Sequence, residues 1–345
     1  GKSIVAAHDI SIGTKIEKSH LLIKSPGQGL SPTKIELLLG KITKNEIQKD
    51  DFILLSHFKG STCKNTFNFK NPNWGIPVRP HDVKKLANKF IAPVYEFHVS
   101  YSDLERDLPK ENWDILHGSK ILVHAPELFS DSRLLNFCDK ENIAVHINNL
   151  NKVCEFSRKI AKKINFNKKI EIIVNIGGFS THKFKSNHEK PFLYEMIAEN
   201  LELVVEDGCE IIIQNMAPFP WHFGGQRYQN IFAYPDEILN FCKNNDRRLA
   251  LDTAHLSMHC EYRDEDFYLA IEKLKTITAH WHMSDASGTN GEGVNMGKGD
   301  IDFHKVMCCV DKKQSFIVET WQGHKNYGEG FDRDLRFLAL CDKLK

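Results

Sequence analysis

Arg248-Leu-Ala-Leu-Asp252 is an apolar run that ends in a carboxylate. It is followed by Asp264 to Leu274, with apolar residues at helical spacing, and then by Ile277-Thr-Ala-His-Trp-His282, a second run that ends in an imidazole. Strand, helix, strand in that order is the repeating unit of a parallel sheet. Working outward, runs of the same kind recur at Gly75 to Arg79, Val94 to His98, Lys120 to His124, Ile170 to Asn175, Glu210 to Gln214 and Ser315 to Glu319. Helical patterns at Asp82 to Phe90, Asn151 to Lys163, Pro191 to Val205 and Pro235 to Asn244 lie between them. Eight such strands predict an α/β protein built on a (β/α)8 TIM barrel with right-handed crossovers. A doubly wound open sheet is the alternative, but no Gly-rich phosphate fingerprint follows the first strand.

Upstream, Ile4-Val5-Ala6-Ala7, Ile12-Gly13, Leu21-Leu22-Ile23 and Phe52-Ile53-Leu54-Leu55 are short apolar runs split by turn residues, as in a small β-rich domain over residues 1–58. Ser31-Pro32 opens a short helix that stops at Gly40. Residues 59–73 are polar and turn-rich and read as a linker, leaving residues 74–345 for the barrel.

The chain of 345 residues carries 46 Lys and Arg against 45 Asp and Glu, so its net charge of +1 offers no field for nucleic acid or an anionic membrane. No apolar run approaches the ~20 residues that span a bilayer. Nine cysteines without a repeated spacing read as reduced thiols, and no signal peptide is visible, so a cytoplasmic location is expected. Gly1-Lys2-Ser3 runs into a strand pattern without an initiator methionine, as in a fragment of a longer chain.

The predicted strands end in Arg79, Glu96 with His98, His124, Asn175, Gln214, Asp252, His282 and Glu319. An isolated polar residue at a strand end more often caps a loop, but barrel strands bring all of these to one mouth. Asp252-Thr-Ala-His255, His282-Met-Ser-Asp285 and Glu319 together offer carboxylate oxygen and imidazole nitrogen, which suit one divalent ion of the Mn, Co, Zn or Mg group. Glu96 and His98 share the inner face of their strand, either facing substrate or bonded to each other inside a filled barrel. Phe219-Pro-Trp-His-Phe-Gly-Gly-Gln-Arg227 is either a substrate-covering loop, with Trp221, His222, Gln226 and Arg227 facing the ligand, or a turn packed by Phe219 and Trp221.

Two resemblances follow from these residues. Ser3-Ile-Val-Ala-Ala-His-Asp-Ile10, Lys24-Ser-Pro-Gly-Gln-Gly-Leu-Ser-Pro32 and Leu39-Gly-Lys41 resemble the SAF, or antifreeze-like, domain found at the C-terminus of sialic acid synthases. That resemblance implies a synthase barrel upstream in the same protein, a role in sialic (nonulosonic) acid biosynthesis, and a homodimer as one arrangement. Where that family usually has an arginine reaching substrate, this chain has Ser25, with Lys24 beside it as a point charge that lacks the bidentate fork.

Leu251-Asp-Thr-Ala-His255, His282-Met-Ser-Asp285 with Glu292-Gly-Val-Asn-Met-Gly-Lys-Gly-Asp-Ile-Asp302, Phe316-Ile-Val-Glu-Thr320 and Ile121-Leu-Val-His-Ala-Pro126 resemble the xylose-isomerase-like barrels, above all their sugar epimerases. The resemblance implies a metal-assisted isomerase or epimerase of a sugar or sugar acid. Asp252, His282 and Glu319 would be its metal ligands, His255 and His124 would contact substrate, Glu319 would also be the proton-transfer base, and Asp285 would lie near the substrate. Gln214 stands where the epimerases carry a glutamate; its amide oxygen can meet a metal but cannot act as a base. That departure leaves a sugar-binding or regulatory module as the other reading. Gly291-Glu-Gly293, where the endonuclease-IV-like branch has Asp-x-His, argues against DNA repair.

Overall fold

Short alternating apolar runs at the N-terminus form a two-stranded antiparallel pair, β1 (Ser3–Ala6) and β2 (Leu21–Lys24), with Ser3 opposite Lys24. The computed structural model describes residues 2–25, 30–58, 67–129, 133–222 and 225–343. Ile4, Ala6, Ile10, Ile16, Leu21, Leu38, Ile47 and Ile53 make a separate small core under this pair. The predicted short helix is a 3-10 turn, Pro32–Leu37, whose Ser31 cap accepts from the Thr33 N–H. Pro26 to Gly29, part of the SAF-like motif, lie outside the described residues, as do residues 59–66 of the expected linker. From Phe67 onward the chain is packed, with Phe67 and Phe69 against Trp74 and Phe69 against Phe316.

The eight predicted runs form the eight strands of a closed parallel barrel, each within one residue of its expected bounds. They are β3 (Trp74–Val78), β4 (Val94–His98), β5 (Lys120–His124), β6 (Ile170–Val174), β7 (Cys209–Gln214), β8 (Leu249–Asp252), β9 (Thr278–Met283) and β10 (Ser315–Val318). They pair in chain order, with β10 returning to β3.

Around the barrel lie α1 (Val83–Lys89), α2 (Tyr101–Leu104), α3 (Ile143–Lys163), α4 (Lys190–Leu201), α5 (Pro235–Asn244), α6 (Thr253–Arg263), α7 (Phe267–Leu274), α8 (Phe303–Cys309) and α9 (Lys325–Lys343). Helix α3 begins eight residues before its predicted start, because His146 and Asn149 occupy buried positions and break the apolar period. Helix α6 escaped prediction for the same reason: Thr253, His255 and His259 lie on its buried face. None of the described helices is long and apolar enough to cross a membrane.

The strand period of two sorts the barrel interior into layers. At the base, Lys120 pairs with Glu171 at 2.6 Å, and Arg248 pairs with Glu171 at 2.9 Å and Glu210 at 2.6 Å. Two residues further along their strands, Leu122, Ile173, Ile212 and Ala250 join Val94 and Ala279 in an apolar plug. Two residues beyond that, His124, Asn175, Gln214 and Asp252 reach the mouth. The charged base and the plug hold the strand ends rigidly in place.

The N-terminal unit docks on the far side of α1. Asp51 lies 3.8 Å from Lys85 Nζ and accepts from the Tyr327 hydroxyl at 3.4 Å, Lys85 Nζ sits 3.7 Å over the Tyr327 ring, and His57 packs edge-on against it. Asn326, Tyr327 and Gly328 form this knuckle in left-handed backbone, which is costly for the first two residues. Tyr327→Ala is expected to loosen the joint, seen as faster amide hydrogen exchange at Asp51 to His57 with an unchanged barrel circular dichroism spectrum.

Buried His259 on α6 is 1% exposed and both of its ring nitrogens lack a hydrogen-bond partner among the described residues, with Glu265 4.0 Å from Nε2. Burial, followed by Arg263 and Lys190, pushes it down to about 4. Its folded pKa is depressed, so the unfolded chain takes up a proton below about pH 6.5 that the folded chain refuses. Stability is therefore full above pH 6.5 and is lost as pH falls toward 4, by up to about 3 kcal/mol. Urea unfolding at pH 7.5 and pH 5 should show the loss, and His259→Phe, which keeps the edge contact with Tyr234, should reduce it.

Candidate active site

Asp252 ends β8 and serves as N-cap of α6, where its Oδ1 accepts from the His255 N–H at 2.9 Å. Its own backbone N–H donates to Asn215 Oδ1, and the Asn215 amide returns a bond to the Asp252 carbonyl, so the strand-to-helix turn is locked. The other oxygen, Oδ2, is left for the mouth. There Asp252, His282 and Glu319 place one ligand atom each within 4.8 Å of one another. Glu319 Oε2 lies 2.7 Å from His282 Nδ1, and the Gln214 amide nitrogen lies 2.9 Å from the same Nδ1 and 3.3 Å from Asp252 Oδ2.

Gln214 can present oxygen to this cluster. His124 Nδ1 lies 2.9 Å from the Ala125 carbonyl, which only accepts, so that nitrogen carries the proton. Burial, followed by the neighbouring His98, lowers the His124 pKa and keeps the ring neutral, so Nε2 is an acceptor. Gln214 lies 3.1 Å from that Nε2, and its matched partner there is the amide NH2. With the NH2 turned to His124, the amide oxygen faces Asp252 and His282. The donor set is then Asp252 Oδ2, Glu319 Oε2, His282 Nδ1 and Gln214 Oε1, which fits a divalent cation of the harder or borderline kind.

Electrostatics agree with that fit. Burial, and then Glu319, push Asp252 up to about 6 against the pull of His255 and His282, as expected where negative charge lacks full compensation. Burial works against ionised Glu319, but His282 outweighs it and holds Glu319 at about 2. His282 is raised well above its ordinary value because Glu319 and Glu96 overcome burial. As an imidazolium it holds both carboxylates; a cation would take the place of its Nδ1 proton, so metal affinity is expected to rise with pH.

Not every expected site residue faces the mouth. Glu96 was expected at the substrate surface, but it registers with Leu122 of the apolar plug, one step below His98, and is fully buried. Its carboxylate receives His98 Nε2 at 2.8 Å and His282 Nε2 at 3.1 Å, and His280 Nε2 lies 2.9 Å away without hydrogen-bond geometry. The hydrogen-bonded alternative for Glu96 and His98 is therefore present, with His282 bonded to the same carboxylate and His280 beside it.

Asp285 is corrected too. It is fully buried, and its oxygens accept the backbone N–H groups of Ala286, Gly297, Gly299 and Ile301, so it builds the loop after β9 and has no acceptor left for substrate. Lys24 stays in the N-terminal unit, tied to Asp50 at 2.6 Å. Trp221 is 71% exposed at the loop surface, and Gln226 pairs opposite it in a two-residue ladder. His222 is turned inward, 3.4 Å from Glu127, and buried Arg227 Nε lacks a partner among the described residues.

A family model described as a xylose isomerase-like TIM barrel matches residues 84–341. The chain belongs to that family. A SAF domain model matches residues 1–59, N-terminal to the barrel. No curated protein matches the chain. Among solved structures, a D-tagatose 3-epimerase-like protein is similar at 16% identity and TM-score 0.51, covering 79% of this chain and 99% of its own. Endonuclease IV from Thermus thermophilus is similar at 13% and 0.54, covering 79% and 100%. The TTHB071 protein from the same organism, in crystals soaked with ZnCl2, is similar at 15% and 0.57, covering 79% and 99%. At these identities the likeness carries the fold alone.

Within this xylose isomerase-like barrel, several residues at the mouth escaped the sequence reading. Glu292, on the hairpin of Asp285–Ser287 and Gly291–Val294, reaches His255 Nε2 at 3.1 Å, while His255 Nδ1 bonds the Asn215 carbonyl. Burial opposes a charged His255, but Asp252 and Glu292 outweigh it and raise it to about 10. Glu127 and His280 were missed as well. His280 lies two positions before His282, on the same strand face; nothing in the local pattern singles out Glu127.

Proposed function

We propose that the barrel is a divalent-metal-assisted isomerase or epimerase of a sugar or sugar acid in which one carboxylate, Glu319, moves the proton. The observation that carries this reading is the convergence of Asp252, His282, Glu319 and the Gln214 amide at the strand ends. Asp252, His282, Glu319 and Gln214 would hold the ion, which when bound would polarise the carbonyl and hydroxyl oxygens beside the reacting C–H bond. Glu319 is ionised and oriented by His282, so it can accept that proton. The His255 imidazolium gives its Nδ1–H to the Asn215 carbonyl and its Nε2–H to Glu292, so a substrate oxygen that gains negative charge would use it only by taking the place of Glu292. His124 lines the same mouth. Gln214 cannot take a proton, so a second base on that strand is absent and the chemistry is single-base enolisation or a related elimination.

The Gln214 substitution also favours a second reading, a sugar-binding module without turnover. Metal content by elemental analysis, with His282→Ala beside the parent protein, combined with solvent deuterium exchange into a panel of sugars, separates the two. About one equivalent of Mn, Co, Zn or Mg, lost in the variant, together with C–H exchange, supports the enzyme. Sugar binding without exchange supports the module, and no metal after incubation with each ion sinks the metal-assisted mechanism.

The SAF domain supports placing the substrate in sialic (nonulosonic) acid biosynthesis, with a synthase barrel in the same protein. Faster exchange with N-acetylmannosamine or a related amino sugar than with simple aldoses is the expected result.

A further inference from the structure

Beside the cation cluster, on the other side of His124, Glu127, Asn175 and His222 line a narrow cleft with Leu134, Phe179 and Met216. The three polar residues come from the loops after β5, β6 and β7. Asn175 Nδ2 donates to Glu127 Oε1 at 2.5 Å, and His222 Nδ1 lies 3.4 Å from Glu127 Oε2, too far for a good bond. The His222 side chain is only 6% exposed, and its Nδ1 and the buried Asn175 Oδ1 both lack a hydrogen-bond partner among the described residues. A buried polar atom left unpaired is costly, so this group is built for something that arrives.

The walls are rigid. Phe179–Ser180 pairs with Tyr228–Gln229, and the Gln229 amide donates to the Gly177 and Ile231 carbonyls. The free volume is about 10 Å³, room for roughly one water-sized group. The polar lining is mostly acceptor: the Glu127 carboxylate and Asn175 Oδ1. His222 and Asn175 hold Glu127 against burial, so the carboxyl stays ionised. A phosphate is too large for this space and would meet a carboxylate. A hydroxyl fits it, donating to Glu127 or Asn175 and accepting from His222, with its carbon against Met216 and Phe179.

We propose that this cleft receives a hydroxyl at the non-reacting end of the substrate, so that the substrate is a neutral, unphosphorylated sugar. The inference rests on the metal-assisted reading above and names the substrate class for the same mouth. Glu127, Asn175 and His222 select against phosphate esters by size and charge. Arg227, whose Nε lacks a hydrogen-bond partner among the described residues, is the residue a phosphate would use if the inference were wrong.

The test uses the full chain loaded with Mn2+ and matched pairs of sugars: D-fructose, D-mannose and N-acetyl-D-mannosamine, each beside its 6-phosphate. Solvent deuterium uptake is followed by NMR. The neutral member of a pair should exchange at least 10-fold faster than its phosphate. Glu127→Gln should raise KM for the neutral sugar about 10- to 100-fold with kcat changed less, the loss expected for a hydrogen bond to a charged group. Glu127→Lys should move the preference toward the phosphate, with Mn content unchanged as the check on folding. Equal or faster exchange with the phosphate esters, or no effect of either Glu127 variant, overturns the inference and leaves the metal-assisted reading standing. Exchange with no member of any pair in the Mn-loaded protein overturns that reading and this inference with it.

Discussion

Glu319→Gln is expected to lower solvent exchange at the substrate carbon by about 10²- to 10⁴-fold, the range of a positioned proton-transfer group. Gln keeps the shape and one oxygen that can meet a cation, so the barrel should fold and retain part of its metal affinity. It cannot accept a proton, and it replaces a carboxylate that lies 2.7 Å from His282 Nδ1. Exchange measured at saturating Mn2+ separates the two losses, because weak metal binding is overcome there and a missing base is not. Unchanged exchange at saturating metal would move the base elsewhere, with Glu292 the first residue to examine. Gln214→Glu makes the complementary change on β7: it adds a carboxylate to the cluster, and it is expected to tighten metal binding and to permit proton transfer from a second side of the substrate.

Removing Glu96 should have the next largest effect, although it lies below the mouth. Its carboxylate takes bonds from His98 and His282, with His280 Nε2 2.9 Å away, and its pKa stays well below the ordinary range: burial opposes ionisation, but His282 and then His280 outweigh it. With Nε2 of His282 committed to Glu96, Nδ1 is the nitrogen that faces the cation cluster. An outer carboxylate of this kind typically contributes 10- to 100-fold to metal affinity. Glu96→Gln should therefore weaken Mn2+ binding by about that factor in calorimetric titration. Glu96→Ala, which strands buried imidazoles without their counter-charge, should also lower unfolding stability by about 3 to 5 kcal/mol. Unchanged Mn2+ affinity in the Gln variant would show that packing alone orients His282.

How far these residues could be read in advance depended on where each signal lay. The barrel was legible because each buried strand is a short β-rich run that ends in a polar residue at the mouth, and the period of two sends successive side chains in and out. Asp252, His282, Glu319, His255, His124 and Gln214 were legible because each sits at or just beyond such an end. Helix α6 was hidden because its buried face carries His255 and His259, which a search for apolar spacing passes over.

The depth of Glu96 was hidden for another reason. Residue spacing puts Glu96 and His98 on one face, but only pairing with β5 sets Glu96 level with Leu122 and His98 level with His124. A shift of one step along the barrel axis turns a substrate contact into a buried brace. Asp285 shows the same limit: as a residue type it suits a binding site, and only the fold of the loop over Gly297, Gly299 and Ile301 takes up its acceptors. Strand order, side-chain face and the list of strand-end groups are local properties that the amino-acid sequence carries by itself. Register between neighbouring strands, and the partners that saturate a buried carboxylate, come from segments far apart in the chain; they exist only once the barrel closes, and so only the tertiary structure decided them.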